Sequence, residues 1–286
     1  LKLKNRKIGN YIWRFRIFLL PILIVNFFVF IYRISNPVFD ELVGDVLLSL
    51  QDKWDYLFED FDFLIIITFI ICLLISVFLF IRSSNQQMIY MDLSASEVLI
   101  RTRLKSRKQF RMNALKNEYR SGVFLLMILN GVLLILNVID VNWVWFGFEW
   151  EGQYLKQFVH EGTYLLILSI LTSGVVVLYY FRDNLNFYEQ NRMLKVLSYL
   201  WLIQNGILAI SVGIRNFWYI HHFALAYKRI GVIIFLVMTI YGLFTVFIKL
   251  WKRKSSFYLF KVNAYSILLI LMVSSTINWD IIIARY

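Results

Sequence analysis

The side chains best suited to chemistry line one face of an apolar stretch at residues 198–220, SYLWLIQNGILAISVGIRNFWYI. At helical spacing they form a mostly polar stripe, interrupted by Leu208: Gln204, Ser211, Arg215, Tyr219 and His222. A charged residue within a membrane span is costly, so it normally faces protein or water rather than lipid. The stripe predicts either an ion pair that fixes helix packing or a site for an anion, a proton or a lipid headgroup. The ion pair is the favoured interpretation.

Other polar residues lie at a similar depth to Arg215 once the chain is threaded through a membrane. Asp140 and Glu161 are the two carboxylates that could pair with it. Lys228 and Arg229 could hold a lipid phosphate, although pairing with Asp280 or with acidic residues 52–62 is favoured. The complete predicted polar cluster, structural or ligand-binding, is Asp140, His160, Glu161, Gln204, Ser211, Arg215, Tyr219, His221, His222, Lys228, Arg229 and Asp280.

All three histidines of the chain fall in this cluster, which raises the question of a metal. A catalytic zinc site uses three protein ligands and an open position. However, adjacent histidines on a helix point about 100° apart, and no HExxH spacing exists. The single cysteine, Cys72, excludes a disulfide framework and a paired-thiol motif. We therefore predict no catalytic residue, no metal site and no cofactor.

The elements that position these residues are membrane-spanning helices. The chain has 286 residues and is 60% hydrophobic, whereas soluble domains are about 45–50% apolar. Helices are the natural spanning element because each satisfies its own backbone hydrogen bonds in lipid. Seven apolar runs are recognisable, near residues 17–34, 63–81, 123–139, 163–181, 198–220, 230–248 and 257–277. They predict an all-α integral membrane protein, with about seven transmembrane helices in a single domain over residues 1–286. The chain opens on Leu1 rather than Met, which predicts residues upstream, and the domain is expected to be truncated at one or both ends.

Charge predicts the orientation of this bundle. With the N-terminus in the cytoplasm, 23 of the 30 Lys and Arg residues lie on the cytoplasmic side, and 13 of the 18 acidic residues lie outside. This bias is typical of the positive-inside rule and predicts an N-in, C-out topology. The rule also accounts for the net charge of +12. Nucleic acid is therefore not an expected partner, and no nucleic-acid-binding motif supports it.

Two connections are long enough to fold. Residues 36–62 are acidic and carry apolar residues at helical spacing, which predicts an amphipathic helix on the outer surface. Residues 82–121 are strongly basic and predict a cytoplasmic helical loop, in which residues 95–119 are mostly helical. Either connection could dock a protein partner, and membrane lipids are the other expected partners.

Several phrases carry a family resemblance: VHEGTYLLILSI, LSYLWLIQNGILAISVGIRNFWYI, ALAYKRIGV and INWDIIIARY. They resemble a bacterial polytopic membrane family known as domain of unknown function 4173, over about residues 117–286. The resemblance implies a multi-pass protein of the bacterial cytoplasmic (inner) membrane. It implies no activity, substrate or catalytic residue.

These observations predict a non-enzymatic inner-membrane protein that acts as a scaffold or signalling component through partner proteins. One alternative is a transporter or channel that uses an outward-facing polar cluster around Arg215. It would require a water-filled vestibule reaching Arg215 and Gln204. A second alternative is a membrane enzyme acting on lipid or cell-wall precursors, centred on His160, Glu161, His221 and His222.

Overall fold

The computed structural model describes residues 2–43, 95–99, 112–146, 152–182 and 184–285, with the side chains of 2–16, 112–114, 152–161 and 184 left out. The chain divides into two compact units. One unit joins Leu1–Asp40 to Glu97–Tyr286, and the other is Glu41–Ser96. Most of the second unit lies outside the described residues. The single transmembrane domain stays a prediction.

Nearly all of the described chain is helical. The α-helices are α1 (Lys2–Ser35), α2 (Met112–Asp140), α3 (Gly152–Tyr180), α4 (Arg192–Phe223), α5 (Tyr227–Lys252), α6 (Ser256–Thr276) and α7 (Trp279–Arg285). A π-helix, Val141–Phe146, continues α2, and a 3₁₀ turn, Asn184–Phe187, precedes α4. Residues 37–43 form a further helical segment.

Six stretches of the described chain are long and apolar enough to cross a membrane. They are Ile17–Ser35, Leu115–Phe146, Gly162–Tyr180, Arg192–Phe223, Tyr227–Lys252 and Ser256–Thr276. Each corresponds to one of the predicted apolar runs, and the remaining run, 63–81, lies outside the described residues. The prediction of an all-helical, multi-pass membrane protein is confirmed. The count of seven spans and the N-in, C-out orientation stay predictions.

Local sequence explains where α1 ends. Asn36 Oδ1 accepts hydrogen bonds from the backbone N–H groups of Val38, at 3.1 Å, and Phe39, at 3.2 Å. Asparagine is a preferred N-cap, and Pro37 suits the first helical position because the missing N–H has no partner there. A new helix therefore starts directly after α1. The rest of the predicted amphipathic helix over 36–62 lies outside the described residues.

The turn between α5 and α6 contacts residues 97–99 through the backbone. The Leu99 N–H donates to the Arg253 carbonyl at 2.9 Å, and the Ser255 N–H donates to the Glu97 carbonyl at 2.8 Å. Residues 95–99 are thus extended rather than helical. The predicted helix over 95–119 is wrong at its start, because this segment pairs with the turn. Its last part is confirmed by the start of α2.

Helix α4 lies at the centre of the bundle, packed against α2, α3 and α5, while α1 packs against α2 and α3. Aromatic rings fill the interior, and those of Phe28 and Trp201 meet edge to face at 5.4 Å between centroids. By contrast, α6 has no buried residue. It is attached to α5 through Asn263, whose amide donates to the Thr245 hydroxyl at 3.0 Å. The polar residues in the middle of α4, including Ser211 and Arg215, are therefore enclosed, and α6 lies at the edge.

Candidate functional site

The centre of the site is a buried ion pair between α4 and the end of α2. Arg215 Nη2 donates to Asp140 Oδ1 at 2.5 Å, and both side chains are 0% exposed. Asn36 Nδ2 donates to the same carboxylate oxygen at 2.7 Å, and Arg215 Nη1 donates to the Ser35 carbonyl at 3.1 Å. We call these four residues the ion-pair cluster. It ties the end of α1 to α2 and α4 in a region without exposed surface, where charge must be compensated by protein groups.

A glycine lets α3 approach this cluster. A Cβ atom built on Gly162 would lie 2.8 Å from the Ser35 carbonyl oxygen, closer than real Cβ contacts. That oxygen is the one that accepts from Arg215. The absence of a side chain at position 162 therefore allows α3 to pack directly on the backbone of the ion-pair cluster.

A seam of polar contacts joins α2 to α4 along their length. Asn130 Nδ2 donates to the Leu197 carbonyl at 3.1 Å, and Asn137 Nδ2 donates to the Gln204 carbonyl at 3.1 Å. Gln204 Nε2 also donates to Asn130 Oδ1 at 3.2 Å. Donors and acceptors are each seven residues apart, which is the repeat of two helices that supercoil left-handedly around each other. We call this row the α2–α4 seam.

The π-helix extends the same seam to the end of α4. Trp145 Nε1 donates to the Ser211 hydroxyl at 3.0 Å, and Trp218 Nε1 donates to the Val144 carbonyl at 3.2 Å. Ser211 and Trp218 continue the seven-residue spacing from Gln204. A π-helix shifts the following residues relative to a regular helix, and such segments are frequent at functional positions. Here it starts immediately after Asp140.

The predicted polar stripe therefore has two parts. Gln204, Ser211 and Arg215 contact α2, its π-helical continuation or the end of α1, and Leu208 fills the gap between them as a fully buried residue. Tyr219 packs instead against the ring of Phe223, at 4.8 Å between centroids. His222 is exposed, and its Nδ1 lies 2.9 Å from the Trp218 carbonyl oxygen.

Of the two remaining histidines, His221 is the one whose side chain the structure describes. His221 is exposed, and its ring lies 5.2 Å from that of His222. The backbone of His160 and Glu161 belongs to α3, but their side chains lie outside the described residues. Among the described side chains, no group of three or more His, Cys, Asp or Glu residues could hold a metal ion.

The predicted pairing of Lys228 or Arg229 with Asp280 is not formed. Asp280 accepts a hydrogen bond from the Tyr227 hydroxyl instead. Arg229 Nη1 donates to the Phe223 carbonyl at 2.7 Å, and its guanidinium lies 4.4 Å from the centre of the Tyr219 ring. The other pairing considered, with acidic residues 52–62, lies outside the described residues.

A smaller charged cluster holds residues 97–99 at the opposite end of α5. Glu97 contacts Lys261 at 2.9 Å and Lys254 at 3.4 Å. The hydrogen bond from Lys261, and then that from Lys254, hold the pKa of the Glu97 carboxyl below its ordinary range. Glu97 therefore stays ionised and clamps this segment to the start of α6.

Sequence reasoning overlooked three parts of the ion-pair cluster and its surroundings: Ser35, Asn36 and Gly162. A signal existed for Asn36, because Asn followed by Pro is typical of a helix start. The Ser35 carbonyl carries no sequence signal, since every residue has one. Gly162 follows Glu161 in a stretch that reads as continuous helix, so its close approach depends on the packing of α3.

A family profile described as Domain of unknown function (DUF4153) matches residues 2–286. The chain belongs to this family. The predicted membership of an uncharacterised domain family is right in kind, but the number 4173 is corrected to 4153, and the match covers nearly the whole chain rather than residues 117–286. Searches of curated proteins and of solved structures found no match. In this member of the family, the ion-pair cluster and the α2–α4 seam together form the candidate site.

Proposed function

We propose that this protein is a non-enzymatic membrane scaffold that acts through partner proteins, and that the ion-pair cluster locks its helices in one arrangement. The observation that carries the proposal is the complete enclosure of the charged pair. Arg215 and Asp140 expose no surface, and their contacts come from α1, α2 and α4. A charge pair enclosed in this way holds helices in register.

The same enclosure argues against a solute path along α4. A path would need water at both Arg215 and Gln204. The Arg215 guanidinium instead donates to Asp140 and to the Ser35 carbonyl, and the Gln204 amide donates to Asn130. The side chains of Gln204 and Arg215 are therefore used in contacts between helices, which is the usual role of polar side chains in membrane bundles.

The partner is expected at one of the two charged connections, 36–62 or 82–121. At the described part of the second connection, Glu97 and Leu99 are held against the α5–α6 turn. This attachment fixes residues 97–99 on the bundle, and it supports the proposal that the basic connection is available to a partner. A basic surface of this kind would recognise an acidic protein segment, with anionic lipid as the competing contact.

The accessibility of introduced cysteines distinguishes a fixed, dry helix arrangement from a water-filled solute path along α4. Cys72 is the only cysteine, so Cys72→Ser provides a silent background for Ser211→Cys, in the buried seam, and Lys228→Cys, at an exposed position. Both proteins are placed in nanodiscs and treated with a membrane-impermeant maleimide, which reaches both faces. We expect the reagent to modify Lys228→Cys and to leave Ser211→Cys unmodified. Comparable modification of the two would favour the transporter or channel.

Cross-linking in intact membranes tests the partner. Six Lys and Arg residues lie within 101–111, and six lie within 2–16. Neutralising the first set should remove the cross-linked protein adduct, whereas neutralising the second set removes the same charge and should leave the adduct in place. Recovery of the unmodified chain alone, in every mild detergent, would contradict the scaffold.

One observation favours the transporter or channel as a second candidate. Asp140 Oδ2 is buried and has no hydrogen-bond donor among the described residues. A carboxylate oxygen of this kind is a chemically suitable place for a proton or a cation inside a membrane. The accessibility of Ser211→Cys separates this candidate from the scaffold, because ions would bring water to the seam.

A further inference from the structure

A cleft of about 130 Å³ opens where α3, the end of α4 and the start of α5 meet. Its polar lining includes Tyr164, Asn216, Tyr219, Lys228 and Arg229. A water needs only about 15 Å³ of such volume, so the cleft has room for a group of several heavy atoms. It is separate from the ion-pair cluster, although Asn216 follows Arg215 directly.

Two positively charged side chains border the cleft. Lys228 and Arg229 lie in the first turn of α5, where no acidic residue is present. Helix N-termini are themselves positive, so cations there are in an unfavourable position and an anion is favoured. Within the described structure, no carboxylate lies within ion-pair distance of either side chain. Asp280, the expected partner, accepts a hydrogen bond from the Tyr227 hydroxyl instead.

Arg229 is held in a fixed position beside the cleft. Its Nη1 donates to the Phe223 carbonyl, and its guanidinium stacks on Tyr219. Asn216 Nδ2 donates to the Arg229 backbone carbonyl at 3.1 Å, which fixes the first turn of α5 as well. A guanidinium has five N–H donors, so these contacts leave donors for a ligand. Arginine held in this way suits the oxygen atoms of phosphate.

The cleft lies where two apolar spans meet in a short turn, and lipid headgroups are expected at such span ends. It adjoins the turn at 224–226, where two apolar spans end and begin. Aromatic residues with exposed rings surround this turn, namely Tyr164, Phe217, Phe223 and Tyr227. Aromatic belts of this kind mark the interface between hydrocarbon and headgroups. The anion most abundant at that depth is the phosphate of a phospholipid.

We propose that this cleft binds a phosphate group, carried by an anionic phospholipid or present as free phosphate. Lys228 supplies a mobile charge at the rim, and Arg229 supplies directional donors beside Tyr219. This ligand site is independent of the scaffold function, because neither cation contributes to the ion-pair cluster. Its occupant would compensate the charge at the start of α5.

Charge reversal at Lys228 tests the site. Lys228 is exposed and lies in the first turn of α5, where glutamate suits the helix dipole, so Lys228→Glu should fold. Lys252→Glu is the matched control, since Lys252 is an exposed lysine at the other end of the same helix. Binding of phosphatidylglycerol to the purified full chain is measured by native mass spectrometry, and binding of inorganic phosphate by calorimetry.

We expect Lys228→Glu to weaken binding about tenfold, since a single exposed charge contact contributes up to about fivefold and reversal also adds repulsion. Lys252→Glu should bind like the parent protein. A loss confined to phosphatidylglycerol identifies the lipid as the source of the phosphate, and a loss for inorganic phosphate identifies the free anion. Arg229→Lys keeps the positive charge but loses the planar guanidinium, so it should weaken binding less than Lys228→Glu does. Equal binding by Lys228→Glu and the parent with both probes, or no binding by the parent to either, would overturn the proposal.

Discussion

Removing one charge from the buried Arg215–Asp140 pair should cost far more stability than removing both. Asp140→Asn keeps the shape of the side chain and an oxygen that can accept the hydrogen bond from Asn36. The change therefore measures the effect of removing the carboxylate charge alone. The change leaves the Arg215 guanidinium, which is 0% exposed, without its carboxylate partner. Stranding one member of a buried pair typically destabilises a protein by about 3–5 kcal/mol. An ordinary polar contact between membrane helices contributes only about 0.6 kcal/mol on average.

The two magnitudes are far enough apart for a single assay to distinguish them. The free energy of unfolding is measured by titrating the purified protein from mild detergent into sodium dodecyl sulfate, with helix content followed by circular dichroism. Asp140→Asn and Arg215→Met should each cost about 3–5 kcal/mol. The double variant should cost less than either single variant, because the second change removes the charge that the first one stranded.

Ser211→Ala is the control for this experiment. Ser211 is buried on the same helix and loses only the hydrogen bond from Trp145, so its cost should be about 0.6 kcal/mol. If Asp140→Asn and Arg215→Met each lower the free energy of unfolding by no more than Ser211→Ala does, the proposal that the ion pair fixes the helix arrangement is refuted. Additive costs in the double variant would refute it equally, since they would show that the two charges do not compensate each other.

Two further predictions concern the contacts around the bundle. Gly162→Ala should destabilise the same unfolding transition by about 1–3 kcal/mol, because the new methyl group meets the Ser35 carbonyl. Gly174→Ala, at a helical glycine with nothing within 4 Å, should instead stabilise by up to about 1 kcal/mol; equal effects would contradict the close approach of α3. Glu97→Gln should speed hydrogen exchange at the Leu99 amide at neutral pH, because it loses the ion pair with Lys261.

The effect at Glu97 has a defined dependence on pH. Its carboxyl has a depressed pKa in the folded protein, so the clamp contributes fully above the ordinary glutamate range and is lost as pH falls through the depressed value. The ratio of exchange rates between Glu97→Gln and the parent should therefore approach one in acid, and high salt should reduce it at neutral pH. Glu189→Gln, at an exposed glutamate in the turn before α4, should leave the ratio at one throughout. A ratio that stays constant from neutral to acid would exclude the ionised clamp.

Much of the fold could be predicted because apolar runs in a membrane have few structural options. Length and hydrophobicity located the spans, and each of the six described spans agrees with a predicted run. Prediction was weaker at 95–99, where a helical pattern was overridden by pairing with the α5–α6 turn.

The sequence reduces the possible partners of Arg215 to two carboxylates, but it does not identify which of them forms the ion pair. Arg215 inside a span requires compensation whatever the packing, and Asp140 and Glu161 both have the right charge and depth. The contact with the Ser35 carbonyl joins residues 180 positions apart. Such a contact depends on the rotation and tilt of whole helices, which local spacing does not specify. The same holds for Lys228 and Arg229, whose expected partner Asp280 bonds to Tyr227.

Residue types and the lengths of the apolar runs are enough to establish a bundle of membrane helices, with Arg215 inside a span at a depth similar to that of several carboxylates and amides. That result follows from the energetics of backbone and charge in hydrocarbon, which depend on residue type and length. The tertiary structure decided that Arg215 is enclosed by Asp140 and the end of α1, and that Lys228 and Arg229 border an open cleft. The reason is geometric, because hydrogen bonds of about 3 Å require helix positions that only the packing of all helices determines.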